Sequence, residues 1–216
     1  MNGRLTSIFN EIPPCDAFSD IACDHGYIAL AMLSGEKCKK AYVSDISFKS
    51  LDKAKKLLAA YIKSGNADSF VSDGFDNVPK ADVSLVAGIG GRLIIDILNR
   101  AKRDDKLPET LILQPMKHCD KVRLQAVGLG YKIVKDFTVA DDGQFYDIIV
   151  LKKGKDSLTA EEIEFGRTNI TERPKAFQDK IQAEINKLSS YMERENISKA
   201  TCAKMLKKAE RLKKYV

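Results

Sequence analysis

The stretch DIACDHGY, residues 20–27, decides how the first part of the chain folds. Residues 17–23, which overlap its start, are mostly apolar and predict a buried strand. Residues 27–33 are good helix formers. An acidic turn therefore connects a strand to the start of a helix, where unpaired N–H groups and a partial positive charge favour an anionic ligand group. An ordinary strand-to-helix turn is the alternative, and this stretch alone leaves both open.

Strand and helix patterns alternate along the chain that surrounds this turn. Apolar segments bounded by turn residues predict strands at 17–23, 41–46, 69–72, 81–87 and 111–115. Helical spacing predicts helices at 1–14, 27–33, 48–63, 92–101 and 120–127. Residues 131–139 and 145–152 have no helix between them and predict a β-hairpin around a turn at 140–143. The fold class is therefore α/β, with a parallel sheet that ends in an antiparallel C-terminal hairpin.

The β pattern stops at residues 154–157, which we interpret as the boundary between domains 1–154 and 155–216. Beyond it we predict a short helix at 159–165 and longer helices at 174–195 and 198–215, joined near Asn196. Both longer helices have narrow apolar stripes, which predict a small α-helical hairpin of coiled-coil type. The stripe residues are Phe177, Ile181, Ile185, Leu188, Met192, Met205, Leu206, Ala209 and Leu212.

The excess of positive over negative charge lies entirely in this C-terminal part. The net charge is +6, and residues 175–216 contain eleven Lys or Arg against five Asp or Glu. The first 174 residues are therefore neutral overall, with 25 charges of each sign. This asymmetry indicates a polyanion as partner, and a solvated helical face is the alternative.

Several classes of protein are disfavoured. No apolar run approaches a membrane span and no apolar leader precedes Pro13, so we expect a cytoplasmic protein without a membrane partner. The five cysteines form no C-x-x-C pair, and with only two histidines we expect reduced thiols and no metal site. We also expect a monomer.

Polar residues cluster where the predicted strands end, the edge at which open α/β sheets bind ligands. They are Asp20, Asp24, Asp45, Asp73, the glycines of residues 88–91, and Gln114. A carboxylate such as Asp45 can accept two hydrogen bonds from a ribose diol, and Asp73 can accept one from an exocyclic amine. Each of them has a plain alternative as a turn or capping residue. Neither a P-loop nor G-x-G-x-x-G is present, which favours a cofactor without phosphates, such as S-adenosylmethionine.

Five blocks together resemble the bacterial tRNA (adenine-N1)-methyltransferase family called TrmK. They are DIACDHGY (20–27), SDG (72–74), VAGIGG (86–91), LILQP (111–115) and FYD (145–147). The resemblance covers nearly the whole chain and implies a class I, Rossmann-like methyltransferase domain that uses S-adenosylmethionine. It also implies methylation of adenine 22 in the tRNA D-arm.

The resemblance also implies which residues form the site. The cofactor residues would be Asp20, Ala22, Asp24 and His25 at the methionine end, Asp45 at the ribose, Asp73 and Gly74 at the adenine, and Ala87 and Gly88 beside the acceptor. Gly90 and Gln114 would border the acceptor pocket. The family usually has Gly and Ser where this chain has Ala22 and Cys23, and Asn where it has Met116. These departures bear on affinity and specificity, and we carry over no role for Met116.

The chemistry needs neither a nucleophilic side chain nor a metal, because adenine N1 attacks the methyl group directly. The ring becomes cationic, so a nearby carboxylate stabilises it or accepts the N6 proton, and Asp24 is our first candidate. His25 would orient Asp24 or contact the cofactor, and Tyr27 would stack on the base. The alternatives are turn capping for Asp24, packing or capping for His25, and a buried core position for Tyr27. Arg4 would reach a phosphate or the cofactor carboxylate.

Moving the target adenine out of its base stack costs roughly a few kcal/mol. We predict that phosphate contacts of the basic C-terminal helix offset this cost. The residues concerned are Lys204, Lys207, Lys208 and Arg211, with Lys199, Lys213 and Lys214 beside them. A methyltransferase for another substrate, or a non-catalytic RNA-binding protein with a degenerate cofactor site, are the competing functions.

Overall fold

The computed structural model describes residues 1–193 and 197–216, and its centre is a seven-stranded sheet. The strands are β1 (Cys15–Ile21), β2 (Cys38–Asp45), β3 (Ala67–Val71), β4 (Val83–Ile89), β5 (Thr110–Pro115), β6 (Tyr131–Asp141) and β7 (Gln144–Lys153). Their spatial order is β3-β2-β1-β4-β5-β7-β6. Strands β1 to β5 are parallel, and β7 runs antiparallel to both β5 and β6. The predicted parallel sheet with an antiparallel hairpin is confirmed.

Helices cover both faces of this sheet. They are α1 (Gly3–Glu11), α2 (Tyr27–Ser34), α3 (Phe48–Leu57), α4 (Ala59–Lys63), α5 (Gly91–Arg103), α6 (Cys119–Gly128), α7 (Ala160–Phe165), α8 (Arg167–Glu172), α9 (Lys175–Met192) and α10 (Lys199–Leu212), with a 3₁₀ turn at Lys213–Tyr215. Neighbouring residues of one strand enter opposite cores, as Leu85 and Val86 of β4 show. Burial on both faces explains why β4 and β5 are continuously apolar.

The C-terminal helices form a third core of their own. Phe177, Ile181, Ile185 and Leu188 of α9 are buried against Ala209 and Leu212 of α10, with Phe165 and Tyr215 at one end. Contacts pair Phe177 with Tyr215 and Glu184 with Lys208, so the two helices run antiparallel as predicted.

A buried ion cluster joins the sheet to these helices. Arg123 of α6 is fully buried, and its guanidinium lies 2.9 Å from Asp136 of β6 and 3.2 Å from Asp147 of β7. Lys180 of α9 approaches the same Asp147 at 2.7 Å. Arg123 also donates to the backbone carbonyls of Ile163 and Glu164 in α7. Helix α7 therefore packs against α6, while α8 and α9 pack on β6.

Several sequence predictions of secondary structure were wrong. The helix predicted over 48–63 is broken at Leu58, and α8 was not predicted at all. Leu206 is half exposed, whereas Tyr215 takes the buried place beyond Leu212. Strand β1 covers Cys15–Ile21 rather than 17–23, so the first turn begins at Ala22. The predicted end of the longer helix at Glu195 and the connection near Asn196 lie outside the described residues.

Candidate functional site

A cavity of about 640 Å³ opens at the carboxyl ends of the parallel strands. It lies beside β1 and β4, where the strand order reverses, which is the usual ligand position in an open α/β sheet. All nine residues predicted to contact the cofactor line it. They are Asp20, Ala22, Asp24, His25, Asp45, Asp73, Gly74, Ala87 and Gly88. Tyr27 and Arg4 line the same cavity.

The first turn, residues 22–26, has an unusual backbone. Ala22, Asp24 and Gly26 have φ values of 58°, 45° and 72°. Left-handed φ angles are unfavourable for residues with a Cβ, by roughly 1–2 kcal/mol. Gly26 occupies the cap position of α2 and its N–H donates to the Cys23 carbonyl at 3.0 Å. This conformation turns the side chains of residues 24 and 25 toward the cavity.

Charged and aromatic groups of the turn contact one another. The Asp24 carboxylate lies 3.3 Å from His25 Nε2 and 3.4 Å from Lys53 Nζ of α3. The His25 and Tyr27 rings stack with centroids 5.3 Å apart and planes inclined by 17°. Tyr27 is 46% exposed, so it is not the buried core residue that was its alternative.

Asp20 lies in the wall of the cavity and is 5% exposed. Burial raises the pKa of its carboxyl group to about 8, and the neighbouring charge of Asp45 acts in the same direction. A cationic group beside Asp20 would favour the ionised carboxylate. A cation bound beside Asp20 would therefore cause the carboxyl group to lose its proton.

The carboxylates after β2 and β3 have different partners. Asp45 accepts from the backbone N–H of Asp24 at 3.3 Å and of Ser47 at 2.8 Å. Ser47, and not Asp45, provides the side-chain cap of α3. Asp73 pairs with Arg100 at 2.6 Å. A carboxylate has about four acceptor positions, so both residues keep capacity for a ligand.

Arg4 brings the N-terminal helix into the site. Its Nη1 donates to Gln114 Oε1 at 2.5 Å, and its guanidinium carbon lies 5.2 Å from the centre of the Tyr146 ring. Gln114 is fully buried and acts behind Arg4 instead of lining the cavity. At Gly88, with φ of 77°, an added Cβ would come within 3.5 Å of Arg4. Gly90 caps α5 and is likewise not part of the wall.

Sequence reasoning missed several residues of this region, and four of them are informative. Lys53, Arg100, Ile46 and Leu93 contact or line the site. Ile46 directly follows Asp45, so its place in the sequence could have predicted that it lines the cavity. Lys53 and Arg100 lie on helices and are brought to the turns only by the fold, so the local sequence contains no signal for them.

The predicted tRNA-binding residues lie away from the cavity, on α10. Lys208 pairs with Glu184 at 2.8 Å, and Arg211 holds both oxygens of Glu164 at 2.7 and 2.8 Å. Lys204 and Lys207 form no ion pair within the described part of the chain. The charge of this helix is therefore only partly free for a partner.

The described residues contain neither a membrane-spanning helix nor a metal-binding cluster. None of the helices found there is long and apolar enough to cross a membrane. Nor do His, Cys, Asp and Glu side chains there form a group of three or more that could hold a metal ion. The described cysteines are all free thiols.

A sheet of this order with a carboxylate-lined cavity at the strand ends defines a class I, S-adenosylmethionine-dependent methyltransferase. A family model described as "Methyltransferase domain" matches residues 1–149. The tRNA (adenine(22)-N(1))-methyltransferase of Bacillus subtilis is 29% identical over 162 residues, which cover 71% of this chain and 66% of that protein. A candidate tRNA methyltransferase of Mycoplasma pneumoniae is 31% identical over 161 residues, covering 72% and 73%.

Solved structures share the fold of this chain over its whole length. The crystal structure of B. subtilis TrmK has a TM-score of 0.83 at 23% identity and covers 100% of this chain and 98% of its own. M. capricolum TrmK in complex with S-adenosyl-homocysteine has a TM-score of 0.85 at 24% identity, with coverage of 100% and 97%. The chain belongs to the bacterial tRNA (adenine(22)-N1)-methyltransferase family, TrmK.

Proposed function

We propose that this protein methylates N1 of adenine 22 in the tRNA D-arm, with S-adenosylmethionine as the donor. The observation that carries the proposal is the convergence of Asp24, His25, Tyr27 and Arg4 on one cavity. The B. subtilis relative is named for the same reaction. The protein would act as a cytoplasmic monomer, in which residues 1–154 form the methyltransferase domain and residues 155–216 contact tRNA.

The cavity suits the cofactor chemically. Asp20 is buried in the wall, where a bound cation would favour its ionised form, and Asp45 offers carboxylate oxygens to a ribose. The turn at Gly74 has φ of 67°, and an added Cβ would lie 2.8 Å from Ile97, so only glycine fits beside Asp73. We assign the cofactor to the nine lining residues named above. When bound, the cofactor supplies an electrophilic methyl group.

The protein's own side chains then act on the acceptor base. Asp24 presents a carboxylate that stabilises the positive charge developing on the adenine ring, or accepts the N6 proton. His25 and Lys53 fix the position of that carboxylate from two sides. The exposed Tyr27 ring extends the stacked pair and offers a face to the base. Arg4, held by Gln114 and Tyr146, provides a fixed cation at the other side of the cavity.

The direct test is mass spectrometry of nucleosides from tRNA incubated with enzyme and cofactor. We expect 1-methyladenosine in wild-type tRNA and none in a transcript that has guanine at position 22. Methylation of the guanine-22 transcript to the same extent would contradict the assigned position. Absence of any methylated nucleoside, with cofactor binding retained, would favour a non-catalytic RNA-binding protein.

Asp24→Asn tests the assigned chemistry. Because the amide cannot stabilise a cation as a carboxylate does, we expect kcat to fall by roughly 10²–10⁴. Calorimetry should show a much smaller change in cofactor affinity. Asp76→Asn, an acidic residue outside the cavity wall, is the control. Equal kcat values for Asp24→Asn and the control would rule out the assigned role.

Binding of tRNA by α10 should be electrostatic. Lys204 and Lys207 form no ion pair with another described residue, so we expect tRNA affinity to fall steeply between low and high salt. Lys204→Gln with Lys207→Gln should flatten this dependence. An affinity that hardly changes with salt would contradict the role of the helix.

A further inference from the structure

Helix α3 and the short α4 form a second basic segment, far from α10 in the sequence. Residues 48–63 contain five lysines and one aspartate, although the first 174 residues as a whole have no net charge. The buried side of this segment is Leu51, Ala54 and Leu58. The lysines are thus displayed on the outer side of the sheet domain, next to the cavity.

Three of these lysines form a row that begins at the site. Lys49, Lys53 and Lys56 are exposed and spaced at i, i+4 and i+7, which places them along one helical face over about 10 Å. Lys53 Nζ lies 3.4 Å from Asp24 Oδ1 and 3.5 Å from His25 Nε2. The row is therefore continuous with the wall of the cavity.

The charges of the two outer lysines of the row are available to a partner, whereas Lys53 pairs with Asp24. Lys49 has no acidic partner among the described residues, and Lys56 pairs only with Asp52, where both side chains are largely exposed. An exposed pair of this kind is worth at most about 1 kcal/mol and yields readily to a polyanion.

An exposed aromatic side chain stands at the start of the same helix. Phe48 is 67% exposed, and the Lys55 ammonium lies 5.5 Å from the centre of its ring. Ile46, in the cavity wall two residues before, is 71% exposed. Aromatic faces between lysines are typical of surfaces that stack unpaired bases and track their phosphates.

We propose that Lys49 and Lys56, the outer lysines of the α3 row, bind the phosphates of nucleotides next to the target adenine, while Phe48 stacks on a neighbouring base. The inference rests on the proposed function. An adenine extruded into the cavity leaves its own backbone at the cavity mouth, where Lys53 and its neighbours lie. The tRNA is thus held at two places, by α10 and by α3.

The test compares two double variants of the full-length protein. Lys49→Gln with Lys56→Gln removes two charges of the row and leaves Lys53 and the cavity intact. Lys102→Gln with Arg103→Gln removes two exposed charges at the C-terminal end of α5, outside the cavity wall, and is the control. The tRNA dissociation constant is measured over a range of salt concentrations, and cofactor affinity is measured by calorimetry.

We expect the Lys49/Lys56 variant to flatten the slope of log K against log salt by roughly 0.7–0.9 for each lost phosphate contact. KM for tRNA should rise by a larger factor than kcat falls, with unchanged cofactor affinity. Phe48→Ala should weaken tRNA binding roughly 5- to 150-fold without changing the slope, because stacking carries no charge. The control should match the wild type.

Two negative results are distinguishable. If wild-type protein methylates tRNA but the Lys49/Lys56 variant has the slope and KM of the control, the α3 row has no role and the inference is overturned. If the wild type neither binds nor methylates tRNA, the proposed function itself fails and the inference fails with it.

Discussion

Ala22 shows how a single residue limits the site. Its φ of 58° is left-handed, and its side chain lies in the cavity wall. Replacement by glycine removes a strain of roughly 1–2 kcal/mol but adds about 0.5–1 kcal/mol of backbone entropy on folding. We therefore expect Ala22→Gly to raise Tm by roughly 1–4 °C and to tighten cofactor binding.

The matched control is Ala31→Gly within α2, at a right-handed position where glycine costs about 1 kcal/mol. The two substitutions make the same chemical change and should move Tm in opposite directions in differential scanning calorimetry. A lower Tm for Ala22→Gly would show that the left-handed turn is not strained.

Asp20 links proton binding to the cofactor. Its folded-state pKa of about 8 lies above the ordinary value of 3.8, so Asp20 reduces stability progressively as pH rises from about 4 to about 8. A bound cation favours the carboxylate, and binding should release a proton below pH 8. We expect cofactor affinity to increase with pH up to about 8.

Calorimetry in buffers of different ionisation enthalpy counts the released protons. Asp20→Asn should bind the cofactor less tightly and lose this contribution, whereas the titration of the cofactor's own amino group is common to both proteins. Equal proton release by wild type and Asp20→Asn would place the titrating group elsewhere.

Local sequence was sufficient to predict which residues line the cavity where those residues directly follow a strand. Asp45, Asp73 and Gly88 reach the cavity because the carboxyl ends of parallel strands share one edge. Gln114 also follows its strand, but it is buried behind Arg4, since the partner comes from a helix more than a hundred residues away. Such second-layer positions depend on the packing of α1, which the strand pattern does not contain.

At the scale of elements, α8 explains why some helices escape prediction. Its sequence RTNITE is rich in poor helix formers. Thr168 Oγ1 accepts from the Asp136 N–H at 3.0 Å, and Asn169 Oδ1 accepts from the Thr138 N–H at 2.9 Å. The helix thus covers the open edge of β6, and this tertiary contact outweighs its weak propensity.

Lys180 tests how α9 is attached to the sheet. Burial alone would raise the pKa of Asp147, but the charges of Lys180 and Arg123 outweigh it and lower the pKa to about 2. The stabilisation is therefore complete above about pH 4 and is lost as pH falls toward 2. Because Lys180 is about one-third exposed, we expect Lys180→Met to cost about 1 kcal/mol at pH 7.

Urea unfolding at pH 7 and near pH 2 measures this difference, which should shrink at the lower pH. Lys175→Met removes an exposed lysine paired with Asp179 on the same helix, and it should change stability by less than about 0.5 kcal/mol. A loss from Lys180→Met that is the same at both pH values would mean that Asp147 is not the group being stabilised.

For the whole molecule, the sequence predicted the α/β class and the charge asymmetry but not the position of each strand. Strand β7 lies between β5 and β6, although it follows β6 in the chain. This order depends on long-range pairing, which no local pattern encodes. The sequence likewise predicts that Lys208 and Arg211 contact phosphates. It does not predict that they pair with Glu184 and Glu164.

The attachment of the helices to the sheet predicts how the molecule tolerates truncation. A chain that ends after Lys155 loses α7 and α8. Arg123 then loses the Ile163 and Glu164 carbonyls, and the Asp136 carboxylate loses the backbone N–H of Thr168. A buried donor or acceptor left without its partner in this way costs about 1–3 kcal/mol, and more when the group is charged. We therefore expect this fragment to unfold or aggregate, and cofactor binding to be lost with the fold.

A chain that ends after Arg173 keeps both short helices and loses only α9, α10 and the 3₁₀ turn. It exposes Phe165 and removes Lys180, but the contacts of Arg123 with α7 remain. We expect it to bind S-adenosylmethionine with near wild-type affinity and to lose methylation of tRNA, as measured by calorimetry and by labelled methyl transfer. Equal stability of the two fragments would mean that α7 and α8 belong energetically to the helical hairpin, since the buried cluster would then add nothing to the fold of the sheet.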